Sequence, residues 1–273
     1  MSAATEFFLL QASLIAVVLV LHTYLGLHII RRTLIFSDLV LDQLAAFGVL
    51  VGIALGVRHG AAGSYALALV AVLAGAFLLT ALRPRTARIP REAVIGVLYA
   101  LALVASLLAG DKIACGTDHV TKTLTGSMLW ATWPLVAVTA AVYAALAAVH
   151  FVWRRRIIAL VGRRERAPGD GGWEFLFFAT QGVVTVLIVP VAGVLLAYAF
   201  LMIPAGIAAL FRRDWGGATL LGWSVGTGAC LAGLAVSYLA GLPYGPTLVL
   251  ALGAAFAVAL LLHMATGRRE EGG

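Results

Sequence analysis

The sequence predicts an all-α, polytopic helical membrane protein with about eight or nine transmembrane helices. Three observations predict it. Of 273 residues, 62% are hydrophobic and 11% charged, against about 25% charged in soluble domains. Apolar runs of bilayer length recur from one end of the chain to the other. The formal charge is +7, but the positive residues cluster in short loops between those runs. That is a topological signal, not a nucleic-acid surface. Ala, Leu, Val and Gly dominate, which suits close helix packing in lipid. No stretch is left over for a soluble domain, so residues 1–273 read as one transmembrane domain.

The first run, Phe7 to Ile30, ends at Arg31-Arg32. The start, MSAATEFF, has no basic region and carries Glu6, so it reads as a retained helix and not a cleaved signal. The second run spans Leu39 to Val57 and the third Ser64 to Leu82, before the basic loop RPRTARIPR. The fourth spans Ala93 to Ala109 and leads into the polar segment Gly110 to Thr123. The fifth, Pro134 to Trp153, precedes the strongest basic block, Arg154 to Arg166. Trp173 to Phe211 is too long for one span, and Pro190 and Gly193 are the natural place to divide it, giving segments from about Phe175 to Val189 and Val191 to Leu210. The remaining runs are Ala218 to Leu239 and Leu248 to Met264, joined by the turn LAGLPYGPT. Basic clusters follow every other segment, which predicts an external N-terminus and a cytoplasmic C-terminus. A single crossing by Trp173–Phe211 would reduce the count to eight and move the tail outward.

Several chemistries are excluded. There is no Walker A sequence, so the chain does not bind ATP in that way, and no GxSxG, HExxH or CxxCH motif. Cys115 and Cys230 stand far apart, without the spacing of a disulfide framework or a zinc knuckle.

The most informative stretch is Arg31 to Gly56. Two arginines and a short apolar step lead to Asp38 and Asp42, in a helix that is otherwise apolar; elsewhere acidic residues avoid the apolar runs. Carboxylates in a membrane helix are expensive and mark functional sites by default. Four residues apart, they share one helix face. Their oxygens suit Mn²⁺, Fe²⁺ or Mg²⁺, whereas imidazole leans toward Zn²⁺. The plainer alternative is that Ser37 or Asp38 caps the helix and that Arg31 or Arg32 neutralises the acid.

Two stretches resemble a known family. GLHIIRRTLIFSDLVLDQLAAFGVLVG is similar to a family segment with paired basic residues, an apolar step and G-D-x-x-x-H-A. AGVLLAYAFLMIPAGIAALFRR, followed by a span and LAGLPYGPTLVLALGAAFAVALLL, is similar to "GALL…LLIIPAATA" and "lPtGPtivL" at matching separation. The family is the permease subunit of bacterial metal-importing ABC transporters, the ABC-3 or zinc/manganese permease family. The family's histidine four residues after the first aspartate is Asp42 here, with Gln43 beside it, and the loop after the fifth span is shorter and ends in GWEFLFF.

The resemblance implies a multi-pass permease of the bacterial inner membrane, working as a homodimer. It implies a separate cytoplasmic ATPase, an external metal-binding protein that delivers Zn²⁺ or Mn²⁺ (Fe²⁺ is also admitted), no permanently bound cofactor and no covalent chemistry on this chain. Asp38, Asp42 and Gln43 would line the metal path. Leu201 to Gly217 sits where the family places its coupling helix, which would make Pro204, Ala205, Ala208, Arg212 and Arg213 the ATPase contacts; the plainer alternative is an ordinary stop-transfer end. Asp111, Lys112, Asp118 and His119 form the external polar segment, either a binding-protein contact or a solvated loop, with Cys115 beside them.

His22 and His28 read as packing residues, His150 and His263 as interfacial, and Trp130, Trp133 and Trp153 as a membrane-interface belt. Two other classes stand as alternatives. A stand-alone secondary transporter would want polar residues at mid-membrane in several helices, and a small membrane enzyme or assembly protein would want a His or Cys constellation.

Overall fold

A computed structural model describes residues 3–58, 60–84, 88–113, 121, 131–161 and 167–270. The elements are α1 Ala3–Arg31, α2 Phe36–Ala54, α3 Ala62–Ala81, α4 Arg91–Asp111, α5 Trp133–Val152, α6 Arg154–Ile158, α7 Asp170–Phe211, α8 Trp215–Ala240 and α9 Tyr244–Glu270. Eight of them are long and apolar enough to cross a bilayer.

Helix α7 is counted as one element of 42 residues, or about 63 Å, twice the thickness of the hydrocarbon core. It is broken at Gly193, whose φ of 78° and ψ of 162° lie outside the helical region. A side chain with a Cβ is strongly disfavoured there. Gln181 hydrogen-bonds Asp38, and Tyr198 lies within electrostatic reach of the same carboxylate. A straight helix would hold Gln181 and Tyr198 about 25 Å apart. The chain therefore folds back at Gly193, three residues beyond Pro190, where the sequence calls for a division.

The chain forms two compact units. One comprises Met1–Ile30, Met128–Ala144 and Ala199–Gly273. In it α8 packs on α9, and Leu27, Ala205, Ala208 and Ala218 form a fully buried cluster. Gly222 of α8 lies so close to Pro204 that a Cβ would fall 2.6 Å from the Pro204 carbonyl oxygen. Pro204 is thus inside a helix that continues to Phe211. The second arm of α7 begins just after Gly193, so Pro204 stands well past its first turn.

The other unit comprises Arg31–Ser127 and Ala145–Tyr198. Helix α2 lies against α3 and α4 and is buried over most of its length. A Cβ on Gly48 would fall 2.6 Å from the Ala68 Cα, so α2 and α3 meet backbone to backbone, the packing that small residues permit in lipid. Gly48→Ala should therefore destabilise the protein by about 1–3 kcal/mol through overpacking, seen as a lower melting temperature in detergent. Gly96→Ala, with nothing within 4 Å of the added methyl, should leave it unchanged or raise it.

Candidate functional site

The first arm of α7 runs parallel to α2, and their polar residues meet in register. Arg32 Nη2 donates to Glu174 Oε1 at 2.6 Å. One level further on, Gln181 Nε2 donates to Asp38 Oδ1 at 2.7 Å. One turn beyond that, Thr185 donates its hydroxyl to Asp42. The helices thus share a polar seam of three rungs.

The first rung is an ion cluster. Arg91, at the start of α4, also reaches Glu174 Oε1, at 2.5 Å, and bonds the Leu79 carbonyl oxygen at 2.7 Å. The Arg32 guanidinium lies over Phe177, 5.0 Å from the ring centroid, and Arg91 sits 5.8 Å from the Phe178 ring. Burial pulls Arg32 down to about 10, against the attraction of Glu174, which leaves it charged at neutral pH. Arg83 adds its positive charge to the surroundings of Arg32, and Glu92 its negative charge to those of Arg91.

The second and third rungs hold the aspartates. Asp38 is 2% exposed, Asp42 1% and Gln181 0%. Neither acid caps the helix. Ile35 is the N-cap residue and no side-chain cap forms; Glu92 of α4 accepts from the Phe36 amide instead, at 2.7 Å. Ser37 donates to the Leu34 carbonyl oxygen. Arg32 is taken by Glu174. Of the plainer accounts of the acids, the cap by Ser37 or Asp38 does not describe this structure, and Arg32 is paired with Glu174.

Three polar atoms around the acids are buried without a hydrogen-bond partner among the described residues: Asp42 Oδ2, Gln43 Nε2 and Gln181 Oε1. Each such group costs about 1–3 kcal/mol in a folded protein. Gln43 is held by its backbone, whose carbonyl oxygen accepts from Ser106 of α4 at 3.3 Å. Among the described residues no three of His, Cys, Asp and Glu converge on one point; the side chains bonded to the acid pair are the Gln181 amide and the Thr185 hydroxyl. An oxygen-rich set of this kind suits hard divalent cations.

The other residues singled out in the sequence lie elsewhere. Pro204, Ala205 and Ala208 are buried within their own unit, whereas Arg212 and Arg213 are exposed. Of the five, only the two arginines are open to a partner. The turn that carries them is stiff. Asp214 caps α8 by accepting from the Gly217 amide at 2.6 Å, and Trp215 packs on His28, with centroids 4.2 Å apart. Asp111 and Lys112 are exposed and face each other at 3.4 Å. Asp118, His119, Cys115 and Trp130 lie outside the described residues. His22 packs between Tyr143 and Phe200, and its Nδ1 lies 3.0 Å from the Val18 carbonyl oxygen. His150 departs from the interfacial expectation: it is 2% exposed and meets the Thr180 hydroxyl at 2.8 Å. His263 is exposed and meets the edge of Phe211.

Sequence reasoning missed Glu174, Gln181 and Thr185. It held that acids avoid the other apolar runs, yet Glu174 is buried in α7 because two arginines offset its charge. A signal was present for the other two: Gln181 and Thr185 repeat, in a different apolar run, the four-residue spacing of Asp38 and Asp42.

Fold and seam together define a polytopic helical membrane protein with a built polar interior. The chain belongs to the ABC 3 transport family, whose profile matches residues 6–263. It is similar to two curated relatives described as probable metal transport system membrane proteins, from Chlamydia muridarum (strain MoPn / Nigg) and Chlamydia trachomatis serovar D, each 21% identical over 175 residues. Those matches cover 63% of this chain, which spans 60% of the relatives' length. Among solved structures, PsaBC from Streptococcus pneumoniae in complex with Fab has a chain of the same fold, with a TM-score of 0.73 and 21% identity over 94% of this chain and 95% of that one.

Glu174→Gln would leave Arg32 and Arg91 facing each other without the carboxylate that bridges them. Breaking a buried pair costs about 3–5 kcal/mol, so this variant should melt well below the wild type in detergent. Adding Arg32→Met should restore part of the loss.

Proposed function

We propose that this chain is the transmembrane subunit of an ATP-driven importer of divalent metal ions, with ATP hydrolysis on a separate cytoplasmic chain. The observation that carries the reading is the acid pair of α2. Two carboxylates lie fully buried one turn apart, and the nearby Arg32 is committed to Glu174. A transport family gives such a pair a purpose: it offers a dehydrated divalent cation two negative charges in a place water does not reach. The description of the chlamydial relatives as metal transport proteins supports the same cargo.

Asp38, Asp42 and Gln43 are assigned to the metal path. The oxygen donors favour Mn²⁺ over Zn²⁺, with Fe²⁺ next. The path is completed by a second copy of this chain, an external metal-binding protein supplies the ion, and the assembly sits in the bacterial inner membrane. The exposed arginines Arg212 and Arg213 are the docking point for the ATPase. The Asp214 cap and the Trp215–His28 packing behind them would pass a push on that turn directly into α1 and α8. Alternating access then re-orients helices by rigid-body movement.

Uptake of radiolabelled Mn²⁺ and Zn²⁺ in cells lacking the native chain tests this. At equal membrane levels, Asp42→Ala and Asp38→Ala should each reduce uptake by at least about tenfold. Wild-type uptake in both would remove the acid pair from the path.

A further inference from the structure

Gln181 is the residue of the seam whose chemistry is left half used. It lies on α7, is fully buried, and stands at the level of Asp38, one turn from the level of Asp42. Its amide nitrogen is spent on Asp38. Its amide oxygen has no hydrogen-bond partner among the described residues. Asp42 Oδ2, on the facing helix, is in the same condition. An oxygen acceptor left without a donor is what a cation ligand looks like before its ion arrives, since a cation satisfies lone pairs and no proton donor is needed.

The surroundings fix this amide firmly. Thr180, its neighbour in sequence, donates to the Phe177 carbonyl oxygen and is met by His150 Nε2 from α5. A hydroxyl has one proton, so with that proton on Phe177 the imidazole nitrogen is the donor. Beside Gln181, Gly182 brings α7 so near α3 that an added Cβ would overlap Val72. The helix is held on both sides of the residue, and Gln181 has little freedom to seek another partner.

We infer that Gln181 is a cation ligand of the path: its Oε1 joins Asp42 in holding the passing divalent ion, while its Nε2 keeps Asp38 in place. This deepens the metal-path reading and rests on it. It also makes α7 a working wall of the path, with Thr185 holding Asp42 from the same helix. An amide oxygen is a hard donor and adds no charge. It therefore strengthens the site for Mn²⁺, Mg²⁺ or Ca²⁺ relative to a site completed by imidazole.

Two nearly isosteric substitutions separate a ligand from a mere tether. Gln181→Glu keeps an oxygen donor and loses the N–H, whereas Gln181→Met loses both. If Gln181 only tethers Asp38, the glutamate variant is the worse of the two, because it sets a third buried carboxylate against Asp38. If Gln181 is a ligand, the order reverses. Radiolabelled Mn²⁺ uptake is measured with the full-length chain in its native host, at matched membrane level. The expected result is uptake within about threefold of wild type for Gln181→Glu and a loss of at least tenfold for Gln181→Met, the range seen when a metal site loses a supporting group. Should the methionine variant fail to reach the membrane, Gln181→Asn, which withdraws the oxygen by one methylene, takes its place with the same expectation. Wild-type uptake in the methionine or asparagine variant overturns the inference, as does a glutamate variant poorer than methionine. Asp42→Ala in the same assay separates the two levels. If it loses uptake while Gln181→Met keeps it, Gln181 is not a ligand and the path reading survives; if it transports normally, this inference falls, and if Asp38→Ala does so too, the path reading falls with it.

Discussion

The burial of two carboxylates on one face of α2 is the constraint on which the rest of this unit depends. A charge removed from water is expensive unless it is paired or hydrogen-bonded. Here the offset is partial: one amide N–H for Asp38 and one hydroxyl for Asp42. Both come from α7, so the register of α7 on α2 is set by the acids as much as by apolar packing. The ion cluster at the first rung locks that register. A slide of one residue would turn Gln181 and Thr185 away from the acids and separate Glu174 from its arginines.

The seam also has an electrical order. The first rung gathers the arginines around Glu174, and the next two carry the carboxylates. Neither aspartate takes part in the ion pairs seen among the described residues. Glycine allows this geometry twice. At Gly48 it lets α2 approach α3 to backbone contact, and at Gly193 it lets the chain fold back, so that Tyr198 returns to the neighbourhood of the same carboxylates.

The helices and their order were legible in the sequence, because hydropathy over a bilayer-length window depends on composition and needs no partner. The division of the long run was legible for a local reason too, since proline and glycine act on the backbone where they stand. Asp38 and Asp42 stood out because a carboxylate in an apolar helix is anomalous in itself. What surrounds them was not legible. Gln181 and Thr185 are unremarkable residues until α7 is laid on α2 in register, and Glu174 looked like the end of a loop until Arg32 and Arg91 were seen to meet on it. Pro204, Ala205 and Ala208 matched a family segment that suggested an exposed contact, but small residues in an apolar helix are also what close packing selects, and here they are buried.

The central claim is that the buried acids and the amide oxygen facing them hold a divalent cation in transit. The most direct measurement is a structure of the full-length chain in lipid, soaked with Mn²⁺, with diffraction recorded on both sides of the manganese absorption edge. The account predicts an anomalous peak within about 2.5 Å of an Asp42 carboxylate oxygen, a coordination distance for a hard divalent ion, with Gln181 Oε1 among its ligands. Manganese bound elsewhere on the chain, with the seam empty at millimolar metal, would contradict it.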